Sequence, residues 1–378
     1  MITVVFIVSL LILAYIFIGY PLIILILSIV IRKEIKTQND IPYVSIIISA
    51  YNEENIIREK IENCLDLDYP KDKLEIIVAS ESIDKTNKIV NEYRDKGVVL
   101  YAYENREGKR ATLFKTVALA KNDIIVFSDA NAMYKKDAIR KLIRAFSDER
   151  IGCVSGRLVY TNPKNSSIGK GESTYWEYDF ILKMLTSKFL SLGGGVNGSI
   201  FGIRKHLYSP IDKYRGDDFE ISCRVEINGY GVVLDPEAIS YEESSEYTRQ
   251  EFSRKVRLAT WNLKSSLMLL KEAITKKRFI TALILFSHRF LRYTTPVWLI
   301  SLLICNAFLL NSTLVYFLFL QILFYLMGLI GMIMDRSNLK YGIIFLFPFY
   351  FIMVNYAALI AIVKNILGRS DMLWEKVR

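Results

Sequence analysis

The chain has 378 residues, 52% of them hydrophobic, with a mean hydropathy of +0.25: long enough for more than one domain and too apolar for a wholly soluble one. A net charge of +10 suits anionic lipid headgroups and phosphate-bearing ligands, but no basic run interleaved with stacking aromatics points to nucleic acid, which is not expected as a partner. Cys64, Cys153, Cys223 and Cys305 stand singly and only His206 and His288 accompany them, so neither a disulfide framework nor a zinc cluster is predicted, and the catalytic region is read as reduced and cytosol-facing.

Residues 1–31 are almost continuously apolar and are followed by Arg32, Lys33 and Lys36. That is one transmembrane helix running from outside to inside, too long for a signal peptide and without its basic start or small-residue cleavage site. From 42 to 247 short apolar strands alternate with amphipathic helices, the signature of a parallel α/β sheet. Strands are expected at 44–49, 74–79, 98–103 and 124–128, with helices at 54–65, 84–95 and 109–120 between them. Neither a P-loop nor a Gly-x-Gly-x-x-Gly fingerprint follows the first strand, so a nucleotide must be held by other means.

The fourth strand, Ile-Ile-Val-Phe-Ser, ends in Asp129-Ala130-Asn131. A strand buried on both faces delivers Asp129 to the carboxyl edge of the sheet, where ligands of open α/β sheets bind. An acid with a second oxygen ligand two residues on suits Mg²⁺ or Mn²⁺, although Asp-x-Asn also occurs in ordinary turns. Just before the third helix stands Arg106-Glu107-Gly108-Lys109-Arg110. A lysine at a helix start opposes the macrodipole unless an anion sits there.

Beyond Gly152 the pattern is less regular. An aromatic-rich helix is expected at 168–190, then Gly193-Gly194-Gly195, Asn197-Gly198 and a strand at 199–203; a helix begins near Phe219 behind Gly216-Asp217-Asp218, and 231–234 is a candidate to close the sheet. Residues 248–290 read as an interface region whose amphipathic helix, 248–271, carries Arg249, Arg254, Lys255, Arg257, Lys264 and Lys271 among apolar residues and suits a membrane surface. Spans are expected near 293–310, 313–334 and 341–363, within a membrane region at 291–365, followed by a tail at 366–378. One span before the domain and three after it put the tail outside, whereas Lys364, Arg369, Lys376 and Arg378 favour the inside.

Taken in order, Val44-Ser45-Ile46-Ile47-Ile48-Ser49-Ala50-Tyr51-Asn52-Glu53-Glu54, the Gly108-Lys109 element, Asp129-Ala130-Asn131, Asp217-Asp218 and Arg254-Lys255-Val256-Arg257-Leu258 resemble the membrane-bound family 2 glycosyltransferases, which include cellulose, chitin, hyaluronan and poly-N-acetylglucosamine synthases. The resemblance runs from about residue 42 to 263. It implies an α/β GT-A fold with one N-terminal and about three C-terminal transmembrane helices, and inverting transfer from a nucleotide-sugar donor, UDP-linked in the family's manner, to a polysaccharide or lipid-linked acceptor at the cell membrane. Ala50, Tyr51, Asn52 and Glu53 would contact the nucleoside. Glu81 takes the place of the acid that reads uracil, in Ser80-Glu81-Ser82-Ile83-Asp84, where the family usually has Asp-Gly-Ser-x-Asp; Asp84 then caps the next helix.

Arg106 and Lys109 would approach the phosphates, and Asp129 with Asn131 would hold the metal, an amide standing where the family has a second carboxylate. Trp176, Asn197, Gly198, Arg254 and Arg257 fall on the acceptor side, and aromatic packing under a membrane interface is an equal reading for Trp176. Asp218 would be the catalytic base with Asp217 beside it; as bare helix caps the pair would carry no chemistry. Gln and Trp of the processive Gln-x-x-Arg-Trp motif are replaced by Arg254 and Leu258, with Trp261 three residues on as a substitute. The competing function is a membrane scaffold or transporter component that binds a nucleotide sugar without turnover. The paired acids speak against it, as does the lack of midplane charges in the last third.

Overall fold

The structure is a computed structural model that describes residues 1–378 except 32, 39, 163–166, 193, 213–214, 246, 310–311, 338 and 370–378. Arg32, Gly193, Lys376, Arg378 and most of the expected tail therefore lie outside the described residues. The chain opens with α1 (Ile2–Ala14), which a π-helical turn at Tyr15–Gly19 joins to α2 (Tyr20–Val30). The α/β domain then runs β1 (Val44–Ala50), α3 (Ile57–Leu65), β2 (Leu74–Ser80), α4 (Thr86–Asn91), β3 (Val98–Ala102), α5 (Lys109–Leu119), β4 (Ile124–Asp129), β5 (Met133–Tyr134), α6 (Ala138–Ile143), β6 (Ile151–Tyr160), α7 (Ser167–Leu190), β7 (Phe201–Arg204), α8 (Asp217–Ile227) and β8 (Gly231–Glu242). The remaining helices are α9 (Thr248–Thr275), α10 (Phe279–Ile284), α11 (Leu291–Phe308), α12 (Ser312–Arg336) and α13 (Ile343–Ile366), with a π-helical segment, Leu285–Phe290, between α10 and α11.

One eight-stranded sheet carries the domain in the order β3-β2-β1-β4-β7-β6-β8-β5. β1, β2, β3 and β4 pair in parallel, while β7 is antiparallel to β4 and β6. The apolar runs behave as their alternation dictates. Ile46 and Ile48 of β1 face a core with Ile57, Ile61, Val126 and Leu142. Ile47 points the other way, into a second core with Ile77, Leu113, Ile125, Phe127 and Ile221. Because both faces are covered, only the strand ends are open to a ligand, and Asp129 emerges at the end of β4 opposite Ser49 of β1.

Three corrections to the sequence reading concern elements. The irregular stretch after Gly152 contains a ten-residue strand, β6, that pairs in parallel with β8 across two register shifts; a Cβ on Gly156 would lie 2.3 Å from the Ala238 carbonyl oxygen, so that close approach requires glycine. The closing strand is β8, twelve residues rather than four, and the edge beyond it is β5. The expected helix at 84–95 stops at Asn91 and resumes as a 3₁₀ turn at Arg94–Lys96.

The amphipathic helix α9 leaves Arg249, Lys264 and Lys271 exposed, while Arg254 and Lys255 turn inward. It packs against α13, α8 and α10, with Val256, Ala259, Trp261 and Leu269 buried. Arg254 reaches Glu172 and Glu251, and Lys255 lies 3.8 Å over the Tyr175 ring. Buried carboxylates and ring faces, which the local pattern does not reveal, compete successfully for these cations. Among the described residues three helices are long and apolar enough to cross a membrane: Ile2–Val30, Leu314–Arg336 and Ile343–Ile366. α11 packs on the first of them, through Leu302 and Cys305 against Phe6 and Leu13.

Candidate active site

Four charged side chains converge at the carboxyl edge of β4. Lys109, first residue of α5, places its Nζ 2.5 Å from Asp129 Oδ1 and 3.6 Å from Asp217 Oδ2. Asp217 and Asp218 open the first turn of α8, where the helix dipole favours negative charge. Gly108, at φ 94°, uses a backbone region that L side chains rarely adopt, and so delivers the lysine into the site.

The electrostatics separate the two acids. Burial works against ionisation of Asp217, but the charges of Lys109 and Arg110 outweigh it and hold its carboxyl below the usual range. Burial also disfavours the charged form of Asp218, and the neighbouring Asp217 adds repulsion; its carboxyl is pushed up to about 6. Lys109 stays charged despite its burial because Asp129 and Asp217 face it. Two carboxylates with opposite shifts can divide the work, one fixing charge and the other exchanging a proton near neutral pH.

A cavity of about 210 Å³ brings together Lys109, Asp129, Asp217, Asp218, Trp176, Asn197, Gly198, Arg254 and Arg257. A Cβ on Gly198 would stand 3.3 Å from Asp218 Oδ2, so this loop closes directly over the candidate base. Asn197 caps its own turn, its Oδ1 accepting from the Ser199 N–H at 2.9 Å. A second cavity, about 170 Å³, adjoins the first through Gly108, Lys109 and Asp129 and is also lined by Ala50, Tyr51, Glu53, Glu81, Arg106 and Asn131. There the Arg106 guanidinium stacks 4.2 Å from the centre of the Tyr51 ring.

Some expected residues serve the site from behind. Asn52 is left-handed at φ 56°; its N–H donates to Ser82 Oγ at 2.8 Å and its Oδ1 accepts from the Ile83 N–H at 3.0 Å, which fixes the loop after β1. Asp84 Oδ1 accepts from the Thr86 N–H at 2.9 Å, the capping role expected of it. The Glu81 carboxylate is largely occupied by the phosphate-side loop: it accepts from the N–H groups of Glu107 and Gly108 and from the Thr112 hydroxyl. Asn131 Nδ2 donates to Glu242 Oε2 at 3.4 Å.

Three contributors escaped the sequence reading. Arg110 lines the same 210 Å³ cavity and stacks 4.3 Å from the Trp261 ring; its adjacency to Lys109 was the available signal. Glu242, at the end of β8, is brought beside Asn131 only by the pairing of distant strands. Lys60 is fully buried, donates to the Ala132 carbonyl and lies 3.7 Å over the Tyr134 ring, just behind the Asp129-Ala130-Asn131 turn. Its place in the inward-facing set Ile57, Lys60, Ile61 and Cys64 was the available signal.

Residues 45–209 match the profile described as Glycosyl transferase family 2. The chain is 26% identical to the probable glycosyltransferase YdaM of Bacillus subtilis over 90% of this chain and 88% of that protein. It is 24% identical to a poly-beta-1,6-N-acetyl-D-glucosamine synthase of Staphylococcus aureus over 65% of this chain and 60% of that enzyme. A beta-monoglucosyldiacylglycerol synthase of Nostoc is 31% identical, over 39% of this chain and 32% of that protein. The chain thus spans about a third and about three fifths of the lengths of these two synthases. In three dimensions it superposes with TM-score 0.73 and 19% identity on the mannosyltransferase PcManGT from Pyrobaculum calidifontis, solved with GDP-Man and Mn²⁺, over 97% of this chain and 99% of that one. Residues 45–209 are thus similar to a family 2 glycosyltransferase domain, and the eight-stranded sheet with its helices has a GT-A-like fold.

Proposed function

We propose that this protein transfers a sugar with inversion from a nucleotide-sugar donor to an acceptor hydroxyl at the membrane surface, Asp218 being the base. The nucleoside occupies the cavity with Tyr51 and Arg106, where the guanidinium and ring offer a stacking face, and the diphosphate lies over Lys109 at the start of α5. The sugar then enters the larger cavity. Asp218 accepts the proton of the attacking hydroxyl while that oxygen bonds the anomeric carbon, and the bond to the diphosphate breaks on the opposite face. Lys109 and Arg110 stabilise the charge growing on the leaving group. What chiefly carries this reading is the line Asp218, Asp217, Lys109, Asp129 across one cavity, with the proton-accepting acid next to one held ionised.

The oxygen donors at the end of β4 fit a hard divalent cation. Asp129 supplies a carboxylate, Asn131 an amide oxygen and Glu242, against Asn131, a second carboxylate, and Mg²⁺ or Mn²⁺ takes one or two carboxylates and completes its shell with phosphate and water. A bound cation supplies Lewis-acid neutralisation of the diphosphate. Replacing Asn131 with Asp is expected to tighten Mn²⁺ activation by restoring a negative charge. Rates that ignore both chelator and added metal in both forms would remove the cation from this reading. The catalytic domain is read as cytoplasmic, Lys33 and Lys36 following the first span.

The deciding experiment offers membranes containing the protein a panel of UDP- and GDP-sugars and measures released nucleotide and transferred label. Release from at least one donor is expected, and loss of transfer by a factor on the order of 10²–10⁴ in Asp218→Asn, with donor binding retained. A protein that binds a donor but turns over none of the panel would be a scaffold rather than a transferase.

A further inference from the structure

A cavity of about 670 Å³ lies beside the candidate catalytic one and exceeds it in volume. It lies where α7 and α9 of the catalytic region meet the membrane helices, and its two ends differ in chemistry. One end is hydrocarbon-like, walled by Leu13, Leu299, Phe324, Leu346 and Phe351. Phe347 and Ile343, also on its wall, are 59% and 66% exposed, so that end opens sideways on the surface presented to lipid tails.

The other end is polar and carries excess positive charge. Asp179 is met there by Lys183 at 2.8 Å, Arg292 at 3.0 Å, His288 at 3.3 Å and Arg289 at 3.8 Å. One carboxylate cannot neutralise two guanidinium groups and an ammonium, and Arg289 and Arg292 line the cavity. Trp176 and Leu258 belong to the walls of both this cavity and the catalytic one. The indole N–H of Trp176 is buried and has no hydrogen-bond partner among the described residues, an orphan donor at the junction of the two spaces.

We infer that this cavity holds the acceptor, and that the acceptor is a hydroxyl-bearing membrane lipid whose tail lies among Leu346, Phe324 and Phe351 and whose head passes Arg292 and Trp176 toward Asp218. The inference rests on the transferase reading and names its acceptor class. A volume of this size is that of a small-molecule site. A growing glycan would need hydroxyl partners along its path, and the aliphatic and phenyl wall offers none. An amphiphile satisfies both ends: apolar surface on the hydrocarbon side, and ester, phosphate or hydroxyl oxygens for the guanidinium groups. It also accounts for the sideways opening, through which a lipid enters without leaving the bilayer.

The test uses the full chain in phosphatidylcholine vesicles containing dioleoylglycerol with a diazirine in one acyl chain. Irradiation is expected to label peptides from the inner faces of α7, α11 and α13, and Ala358→Trp, which fills the cavity from α13, to cut that labelling at least fivefold. With a donor that the protein turns over, sugar label is expected in the organic phase, reduced more than tenfold by Ala358→Trp with nucleotide release falling in step, while donor binding is unchanged. Retained donor binding shows that the variant is folded. Labelling confined to the outer face of α12, or transfer to a soluble oligosaccharide that Ala358→Trp leaves at the wild-type rate, would overturn the lipid site. Because photolabelling needs no turnover, an inactive protein that still labels inside the cavity would refute the transferase reading alone.

Discussion

Because burial and the charge of Asp217 raise the Asp218 carboxyl to about 6, its proton affects rate and stability in opposite directions. Below that pH the base is protonated, so kcat/KM is expected to fall about tenfold per pH unit under 6 and to level above it; a flat profile from pH 5 to 8 would rule Asp218 out as the base. For stability, an unfolded Asp titrates near 3.9, so between that pH and about 6 the folded protein holds the extra proton, and stability declines as pH rises through the window. Asp218→Asn is therefore expected to melt above the wild type at pH 8 and to converge with it near pH 4, as read by thermal denaturation in detergent. Lys60 is a second residue whose role follows from its place. Its ammonium is disfavoured by burial yet tied to Ala132 and Tyr134, three residues or fewer from Asn131. Lys60→Met keeps the volume but releases the turn, and a loss of activity on the order of 10-fold or more with little change in Tm is expected, since small displacements in an active site are costly. Wild-type rates would show that the Asp129 turn holds itself.

At the scale of elements, the site is built by two loops that brace each other across the edge of the sheet. Glu81, at the end of β2, receives the N–H groups of Glu107 and Gly108 and so holds the loop that starts α5. Glu81→Gln loses acceptor strength at both contacts. The donor KM is expected to rise on the order of tenfold, because hydrogen bonds to charged groups contribute roughly 1.5–3 kcal/mol, while kcat changes less. A change in kcat alone would mean that Glu81 acts on the chemistry and not on the loop. The central strands that frame these loops were readable because β1, β2 and β4 are largely buried on both faces, and unbroken Val, Ile and Phe have few other uses. β6 was not, since Gly152, Ser155, Gly156 and Arg157 interrupt its apolar pattern, and its pairing with β8 depends on contacts eighty residues away. The same division applies to the site. Asp129, Lys109 and Asp217-Asp218 stand at element ends where a chemical reading is available from local pattern. Glu242 acquires its position only through long-range packing, as does the pairing of Arg254 with Glu172.

For the whole molecule, the catalytic sheet and the membrane helices share one interior. α13 packs on both α7 and α9; Tyr350 donates its hydroxyl to Glu251 at 3.0 Å, and Ile168 joins Phe349, Tyr350 and Met353 in a common core. A point of close approach is Gly171, where a Cβ would lie 2.5 Å from Tyr350 Cδ2. Only a residue without a side chain lets α7 and α13 approach so far, and α7 also carries Trp176 into the catalytic cavity. Adding a side chain here forces the two helices apart or the Tyr350 ring out of its place, at a cost of about 1–3 kcal/mol, as for other overpacked sites. Gly171→Val is therefore expected to lower Tm by several degrees and to reduce acceptor transfer more than donor binding, because the strain falls on the α7 side and β1 to β4 are untouched. If donor affinity fell as steeply as transfer, the membrane helices would be supporting the whole sheet; if neither changed, the α7–α13 contact would not couple the span to the site.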